Sequence, residues 1–121
     1  MAGKFVLKTA SDGQYHFTLK SSNGEVILSS ERYKIKPSAL NGIASVQKNG
    51  GEASRFRKLV AANGKAYFTL TAANHQVIGT GEMYESEKAR DKGIAAVMKT
   101  APKAKTEEVA DAPPAAAAVS A

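Results

Sequence analysis

The chain contains no cysteine and no tryptophan among its 121 residues. Without cysteine there is no disulfide framework, no thiolate zinc site and no cysteine nucleophile. Long apolar runs are also missing: Lys4 and Lys8 interrupt the first apolar segment, which leaves no signal-peptide core and no stretch long enough to span a membrane. These absences predict a bacterial-type cytoplasmic protein.

The composition that is present resembles that of an ordinary globular protein. Hydrophobic residues make up 43% of the chain and charged residues 23%, which excludes global disorder and fibrous repeats. The length allows one domain or two very small ones. Seventeen basic residues against eleven acidic ones give a net charge of +6, and this excess attracts polyanions weakly without implying a biological site.

The chain repeats itself after 51 residues without a gap. Identical residues coincide along the whole overlap, among them Phe5 with Phe56, Phe17-Thr18-Leu19 with Phe68-Thr69-Leu70, Tyr33 with Tyr84, and Gly42-Ile43-Ala44 with Gly93-Ile94-Ala95. So many matches in one register indicate duplication of a single supersecondary unit. The predicted repeats span residues 4–50 and 55–101.

Each predicted repeat is a strand meander followed by a helix. Turn dipeptides at Asp12-Gly13 and Asn23-Gly24 enclose a segment in which Tyr15, Phe17 and Leu19 alternate with polar residues, as in a strand with one buried face. From residue 36 the apolar residues fall at helical spacing. The four phenylalanines of the chain are expected at the centre of the core: Phe5, Phe17, Phe56 and Phe68.

The last twenty residues have a different composition. Residues 102–121 hold three of the four prolines and eight alanines. Because so few large apolar groups cannot offset the entropy lost on ordering, this segment is predicted to be a disordered tail. One alternative stays open: residues 104–109 add a strand at a sheet edge.

Several segments together resemble one known family. They are Asp-Gly-Gln-Tyr-His-Phe-Thr-Leu-Lys, Asn-Gly-Glu-Val-Ile, Asn-Gly-Ile-Ala-Ser-Val-Gln-Lys-Asn and, in the second repeat, Ala-Asn-His-Gln-Val-Ile-Gly. They are similar to the YegP-like family of small bacterial proteins, over residues 4 to about 101. That family brings no established activity, substrate or cofactor.

The resemblance implies a fold and an oligomeric state. The fold is α+β: two tandem β-β-β-α(-β) repeats share one antiparallel sheet packed against two helices, with pseudo-twofold symmetry and exchanged terminal strands. Since the duplication already supplies a twofold partner, a monomer is expected.

The polar group that recurs most suggestively is Glu31 with Tyr33, repeated as Glu82 with Tyr84. These pairs are candidate binding residues, because a carboxylate accepts hydrogen bonds and a ring offers a stacking face. The structural alternative, which the residues favour, is that tyrosine covers the edge of the core while glutamate satisfies backbone donors in the loop.

Catalytic and cofactor motifs are not found. His16 and His75 are the only histidines and have no ligand-spaced partner in the sequence, the glycines form no phosphate-binding motif, and the serines have no evident base. The sequence therefore predicts no catalytic residue, no metal and no cofactor. An enzyme or small-molecule site using Glu31 and Glu82 is kept as a second alternative.

The excess of basic residues lies before the tail. Arg55, Arg57 and Lys58 lead into the second repeat and are candidate phosphate contacts, with Tyr67 as a candidate stacking platform. Nucleic-acid binding is the first alternative function. The favoured function is a non-enzymatic interaction module for a protein or peptide, because peptide addition at a sheet edge needs no special residues.

Overall fold

The structure, a computed structural model, describes residues 3–10 and 12–110. Seven strands and two helices form in the order β1 (Lys4–Thr9), β2 (Tyr15–Lys20), β3 (Val26–Ser29), α1 (Lys36–Asn49), β4 (Phe56–Val60), β5 (Ala66–Thr71), β6 (Val77–Thr80), α2 (Glu87–Thr100) and β7 (Lys105–Ala110). One 3₁₀ turn follows each helix, at Ala53–Arg55 and Ala101–Lys103. In this part of the chain no helix has the length and apolar character needed to cross a membrane.

All seven strands belong to one sheet in the order β4-β5-β6-β3-β2-β1-β7. The two repeats meet in the middle, where β3 and β6 pair antiparallel through Ser29 and Thr80. The predicted α+β fold with one shared sheet is therefore confirmed. The sheet is antiparallel except at one end, where β7 runs parallel to β1 and makes it a mixed sheet.

Strand β7 overturns part of the predicted tail. Its six residues align with the whole of β1, from Lys4 opposite Lys105 to Thr9 opposite Ala110. Glu107 forms an ion pair with Lys4 at 2.6 Å. For residues 102–110 the prediction of disorder is wrong, and the structure has the strand that was kept as an alternative for residues 104–109. Backbone pairing and ion pairs order this polar segment, which cannot build a core. The remainder of the predicted tail, residues 111–121, lies outside the described residues.

The core lies between the sheet and the two helices, which pack on the same face. Phe5, Phe17 and Phe68 are fully buried there, with leucines of the strands and Val46 and Val97 of the helices. Phe56 is only partly buried and packs against the edge of this cluster. The predicted centre therefore holds for three of the four phenylalanines, because Phe56 lies on an edge strand that no described strand covers.

Truncation of the central phenylalanines tests this packing. We expect Phe17→Ala and Phe68→Ala each to lower the free energy of unfolding by about 3 to 5 kcal/mol, because each leaves a cavity in a filled core. Urea unfolding measures the change. Met83→Ala is the control, since Met83 is 53% exposed and its truncation should change stability by less than about 0.5 kcal/mol. A loss below about 1 kcal/mol at either phenylalanine would contradict the assigned buried face.

The attachment of β7 should weaken in acid. The hydrogen bond and charge of Lys4 hold the pKa of Glu107 below its ordinary value of 4.5. A depressed carboxylate pKa stabilises the fold above pH 4.5, and this contribution is lost as the pH falls through the folded-state value. We expect Glu107→Gln to lower the urea midpoint at pH 7. At acid pH, where Glu107 is protonated, the urea midpoints of the variant and the parent protein should converge. In a Lys4→Gln background, Glu107→Gln should leave the urea midpoint unchanged. An equal decrease of the midpoint in that background would contradict the ion pair between Lys4 and Glu107.

Candidate functional site

Tyr33 and Tyr84 occupy equivalent positions at the edge of the core. Each pairs through its backbone with the first residue of a central strand: Tyr33 exchanges hydrogen bonds of 2.6 and 2.7 Å with Tyr15, and Tyr84 exchanges bonds of 2.7 and 3.0 Å with Ala66. The Tyr33 ring is nearly parallel to that of Phe17, with an interplanar angle of 9°. Tyr84 stacks on Phe68 in the same way, at 13°.

Each tyrosine hydroxyl end lies over a glycine of a helix. A Cβ atom on Gly42 would stand 2.5 Å from the Tyr33 hydroxyl oxygen and 3.0 Å from the Phe17 ring. A Cβ atom on Gly93 would stand 2.6 Å from Cζ of Tyr84. The two helical glycines are thus explained by close approach of the tyrosine rings, which supports a structural role for these aromatic residues.

The two glutamates beside these tyrosines are exposed. Burial raises the pKa of Tyr33, and the Glu31 charge raises it further. Burial also raises the pKa of Tyr84, with smaller contributions from the charges of Glu82 and Glu25. Within residues 3–10 and 12–110, neither the Glu31 nor the Glu82 carboxylate accepts a hydrogen bond, so neither caps its own loop. Because the pKa of each tyrosine is raised, both hydroxyls stay protonated at neutral pH.

An open groove of about 650 Å³ adjoins only one of the two pairs. Glu82 and Tyr84 line it together with Glu25, Thr18 and Ser29 of the first repeat, whereas Glu31 and Tyr33 do not. The two candidate pairs are therefore not brought into one site. The ionisable groups that line the groove are two carboxylates and a phenol, and no cationic side chain lines it.

A second groove of about 530 Å³ separates the β2–β3 turn from the end of α2. Ser21, Asn23 and Glu25 line one side, and Lys99 and Lys103 line the other. Opposite charges and small polar groups give it no single ligand preference. Metal ligands are not gathered here or elsewhere in the described part of the chain, where no three His, Asp or Glu side chains come together.

The candidate nucleic-acid contacts are divided between two faces of the sheet. Lys58 projects toward the helices, where its Nζ lies 3.4 Å from an Asp91 oxygen. Because side chains alternate along a strand, Arg57 projects from the opposite face. Tyr67 lies on that face too, since it pairs with Leu59, two residues from Arg57. Arg57 and Tyr67 are brought together, and Lys58 is separated from them.

Asp91 engages two cations at this edge. Its carboxylate accepts from Arg90 Nε at 3.3 Å as well as from Lys58. Partial desolvation raises the pKa of Asp91, but the hydrogen bonds and charges of Lys58 and Arg90 outweigh it and leave that pKa below its ordinary value. Other basic residues are paired as well, since Lys36 binds Glu108 and Lys65 binds Glu85. Among the described residues, six of the basic side chains form ion pairs with carboxylates.

The outer edge of β4 is a feature that no sequence motif marked. Ala61 donates to the Lys65 carbonyl at 2.8 Å, and alternate residues of an antiparallel strand bond to the same neighbour. Arg57 and Leu59 therefore bond to β5, while the backbone groups of Lys58 and Val60 are directed away from the sheet. Among the described residues no strand pairs with this edge.

The opposite end of the sheet shows the same edge in its covered form. Ala10 donates to the Gln14 carbonyl at 2.8 Å, so the groups of Phe5, Leu7 and Thr9 are directed away from β2. There β7 pairs with them. A shift of 51 residues places Phe56, Lys58 and Val60 at the equivalent positions of β4. One of two equivalent edges is thus occupied by a strand.

Comparison with known proteins identifies related chains. The family model described as "Domain of unknown function (DUF1508)" matches residues 10–56 and 61–108. A UPF0339 protein of Acinetobacter baylyi is 60% identical over 97 residues, covering 80% of this chain and 87% of that protein. The UPF0339 protein YegP of Escherichia coli K12 is 53% identical over 97 residues, covering 80% and 88%.

Two solution NMR structures have the same fold. The structure of yegP from E. coli, a protein of unknown function, superimposes with a TM-score of 0.86 at 46% identity, covering 93% of this chain and 97% of that one. A UPF0339 protein from Shewanella oneidensis gives 0.84 at 48% identity, covering 91% and 93%.

The contact between tyrosine and helical glycine predicts a change of sign in a double-mutant cycle. We expect Gly93→Ala to destabilise the protein by about 1 kcal/mol or more, because the added methyl group overlaps the Tyr84 ring. In a Tyr84→Ala background the same substitution should stabilise it by up to about 1 kcal/mol, since only the helix propensity of alanine remains.

Thermal or urea unfolding of the four proteins measures the cycle. Ala95→Gly, at an exposed position of the same helix, provides the propensity scale and should cost about 1 kcal/mol. Additive effects of the two substitutions would show that Tyr84 does not pack on Gly93, and would reopen a binding role for its ring.

Proposed function

The chain belongs to the YegP-like family and carries two DUF1508 domains, and we propose that it is a non-enzymatic interaction module that takes up an extended segment of a protein partner at the outer edge of β4. The observation that carries this proposal is the difference between the two ends of the sheet. At one end β7 covers β1, and at the other the equivalent backbone groups of β4 are uncovered by any described strand.

Strand addition is the mode of binding that such an edge supports. The added segment gains main-chain hydrogen bonds, and its alternate side chains gain contacts on the two faces of the sheet. The outward groups of Lys58 and Val60 supply donors and acceptors. Leu59 is half-buried and Val60 is 63% exposed, so apolar surface also becomes buried when the edge is covered. No catalytic residue is required.

The groove chemistry supports binding in preference to catalysis. Glu82 and Glu25 line the same open groove as the phenol of Tyr84, and no cationic side chain lines it. Glu25 accepts an exposed hydrogen bond of 3.4 Å from Asn23 Nδ2, and Glu82 accepts none among the described residues, so no buried partner orients either carboxylate for proton transfer. The nucleic-acid alternative is supported only by Arg57 and Tyr67 sharing one face of the sheet. The pleat separates Lys58 from them, and several lysines are paired with carboxylates.

The charges of β4 also favour a monomer over pairing of two identical edges. Arg57 and Lys58 are both exposed on this strand. Two copies joined edge to edge would bring these cations together, and basic side chains on an edge strand commonly prevent such association. The edge is therefore guarded against its own copy while its backbone stays accessible to another chain.

Removing one outward donor tests the function. We expect Val60→Pro to abolish capture of protein partners from the native cell lysate, because proline removes an N–H that points away from β5. Proline is accepted on edge strands in this orientation, so the variant should keep its fold. Mass spectrometry of the captured proteins, after nuclease treatment, is the measurement.

Val60→Thr is the matched control, because it keeps the backbone donor and nearly the same volume. It should capture the same proteins as the parent chain. Capture of an unchanged set by a correctly folded Val60→Pro variant would contradict binding at this edge. Loss of all captured material on nuclease treatment would point to nucleic acid as the partner.

A further inference from the structure

The chemistry of the β4 edge indicates which segment it takes. Resting on the function proposed above, we infer that the partner segment runs parallel to β4 and carries an acidic residue on the face of the sheet opposite the helices, beside Arg57. The occupant is an extended acidic segment of another protein.

The parallel direction follows from the covered end of the sheet. There β7 runs parallel to β1 and pairs with the outward groups of Phe5, Leu7 and Thr9. The strands and helix beside β4 correspond to those beside β1 after the 51-residue shift. The surface next to the outer edge of β4 is therefore built from the same elements as the surface on which β7 lies. A segment entering in the direction of β7 meets donors and acceptors in the same order.

The acidic preference follows from the residues that replace those of β1. Glu107 of β7 lies opposite Val6 and binds Lys4 at 2.6 Å. At the β4 edge, the counterparts of Val6 and Lys4 are Arg57 and Arg55. A carboxylate in the place of Glu107 therefore lies opposite the Arg57 guanidinium, whereas Glu107 lies opposite the uncharged Val6 and pairs with Lys4.

Arg55 adds an independent observation at this position. Its Nε atom is buried and has no hydrogen-bond partner among the residues that the structure describes. A buried donor without an acceptor is costly, so an arriving carboxylate has more to gain here than at an edge of satisfied groups. Arg57 lies two residues further along the chain, and its exposed side chain is available for a second charge-assisted hydrogen bond.

The helix-facing side of the edge adds little selectivity. Glu108 of β7 lies opposite Leu7 and binds Lys36 at 2.7 Å. The counterpart of Leu7 is Lys58 and the counterpart of Lys36 is Glu87, and these two side chains carry opposite charges. An ionised side chain at that position is attracted by one and repelled by the other. Selectivity for charge is thus concentrated on the outer face.

Peptides derived from β7 provide a direct probe. We take residues 104–110 with Glu108 replaced by Gln, and vary only the position of Glu107: Ala-Lys-Thr-Glu-Gln-Val-Ala, the same peptide with Gln there, and the same with Lys. Each is titrated into the full chain labelled with ¹⁵N. We expect amide shifts centred on Lys58 and Val60, with the Glu peptide binding about twofold to fivefold more tightly than the Gln peptide and the Lys peptide weakest.

Variants of Arg57 separate charge from main-chain binding. Arg57→Gln should reduce the preference for the Glu peptide, and Arg57→Glu should reverse the order of the Glu and Lys peptides. A nitroxide at the peptide N-terminus should broaden signals near Phe56, and one at its C-terminus should broaden signals near Val60, as a parallel orientation requires. Raising the salt concentration should narrow the difference between the peptides.

The outcomes distinguish this inference from the function on which it rests. Equal binding of all three peptides at β4, or the reversed nitroxide pattern, overturns the acidic or the parallel assignment and leaves strand addition intact. Shifts at Phe5 and Leu7, showing displacement of β7, overturn the assigned place of binding. A dimer in light scattering without peptide shows that a second copy covers the edge. No shift at β4 with any peptide, together with unchanged capture by Val60→Pro, overturns the proposed function itself.

Discussion

The architecture depends on one constraint: each helix passes its following strand to the half of the sheet that the other repeat builds. Strand β4 follows α1 and pairs with β5, and β7 follows α2 and pairs with β1. In doing so β4 serves both as the last strand of the first repeat and as the first strand of the second. Two complete units would need one strand more, and since residues 3–10 and 12–110 do not supply it, this part of the chain is symmetric in its core and asymmetric at its edges.

Local patterns were sufficient to predict most of the fold. The alternation at Tyr15, Phe17 and Leu19 and the helical spacing from residue 36 describe elements whose burial depends on nearby chain, and the structure has those elements. Strand β7 could be kept only as an alternative to a disordered tail, because Glu107 and Glu108 give it no apolar face. It is ordered by pairing with β1 at the far end of the chain, and such contacts have no signature within either segment.

The candidate sites show a similar division. A tyrosine and a helical glycine recur in each repeat because the tyrosine ring packs directly on the helix at the glycine. The recurrence of Tyr33 and Tyr84 is therefore explained by packing. Arg57 and Lys58 look like one basic cluster in sequence, yet the pleat of β4 sends them to opposite faces. The feature with the clearest binding potential consists of backbone groups at Lys58 and Val60, which every residue type possesses and no motif can mark.

The place of β7 at the end of the described chain also bears on how the protein is made. Synthesis proceeds from the N-terminus, so β1 emerges early and its partner β7 emerges after every other strand. Until then both edge strands of the nascent sheet are unpaired on their outer side. Pairing of β7 with β1 then joins Lys4 to Lys105, which lie near opposite ends of the described chain. Contacts so distant in sequence slow folding and prolong the exposure of unpaired strands. The same strand exchange that completes the sheet therefore leaves the outer edge of β1 unpaired until β7 has been synthesised, and during that time the edge can pair with another chain.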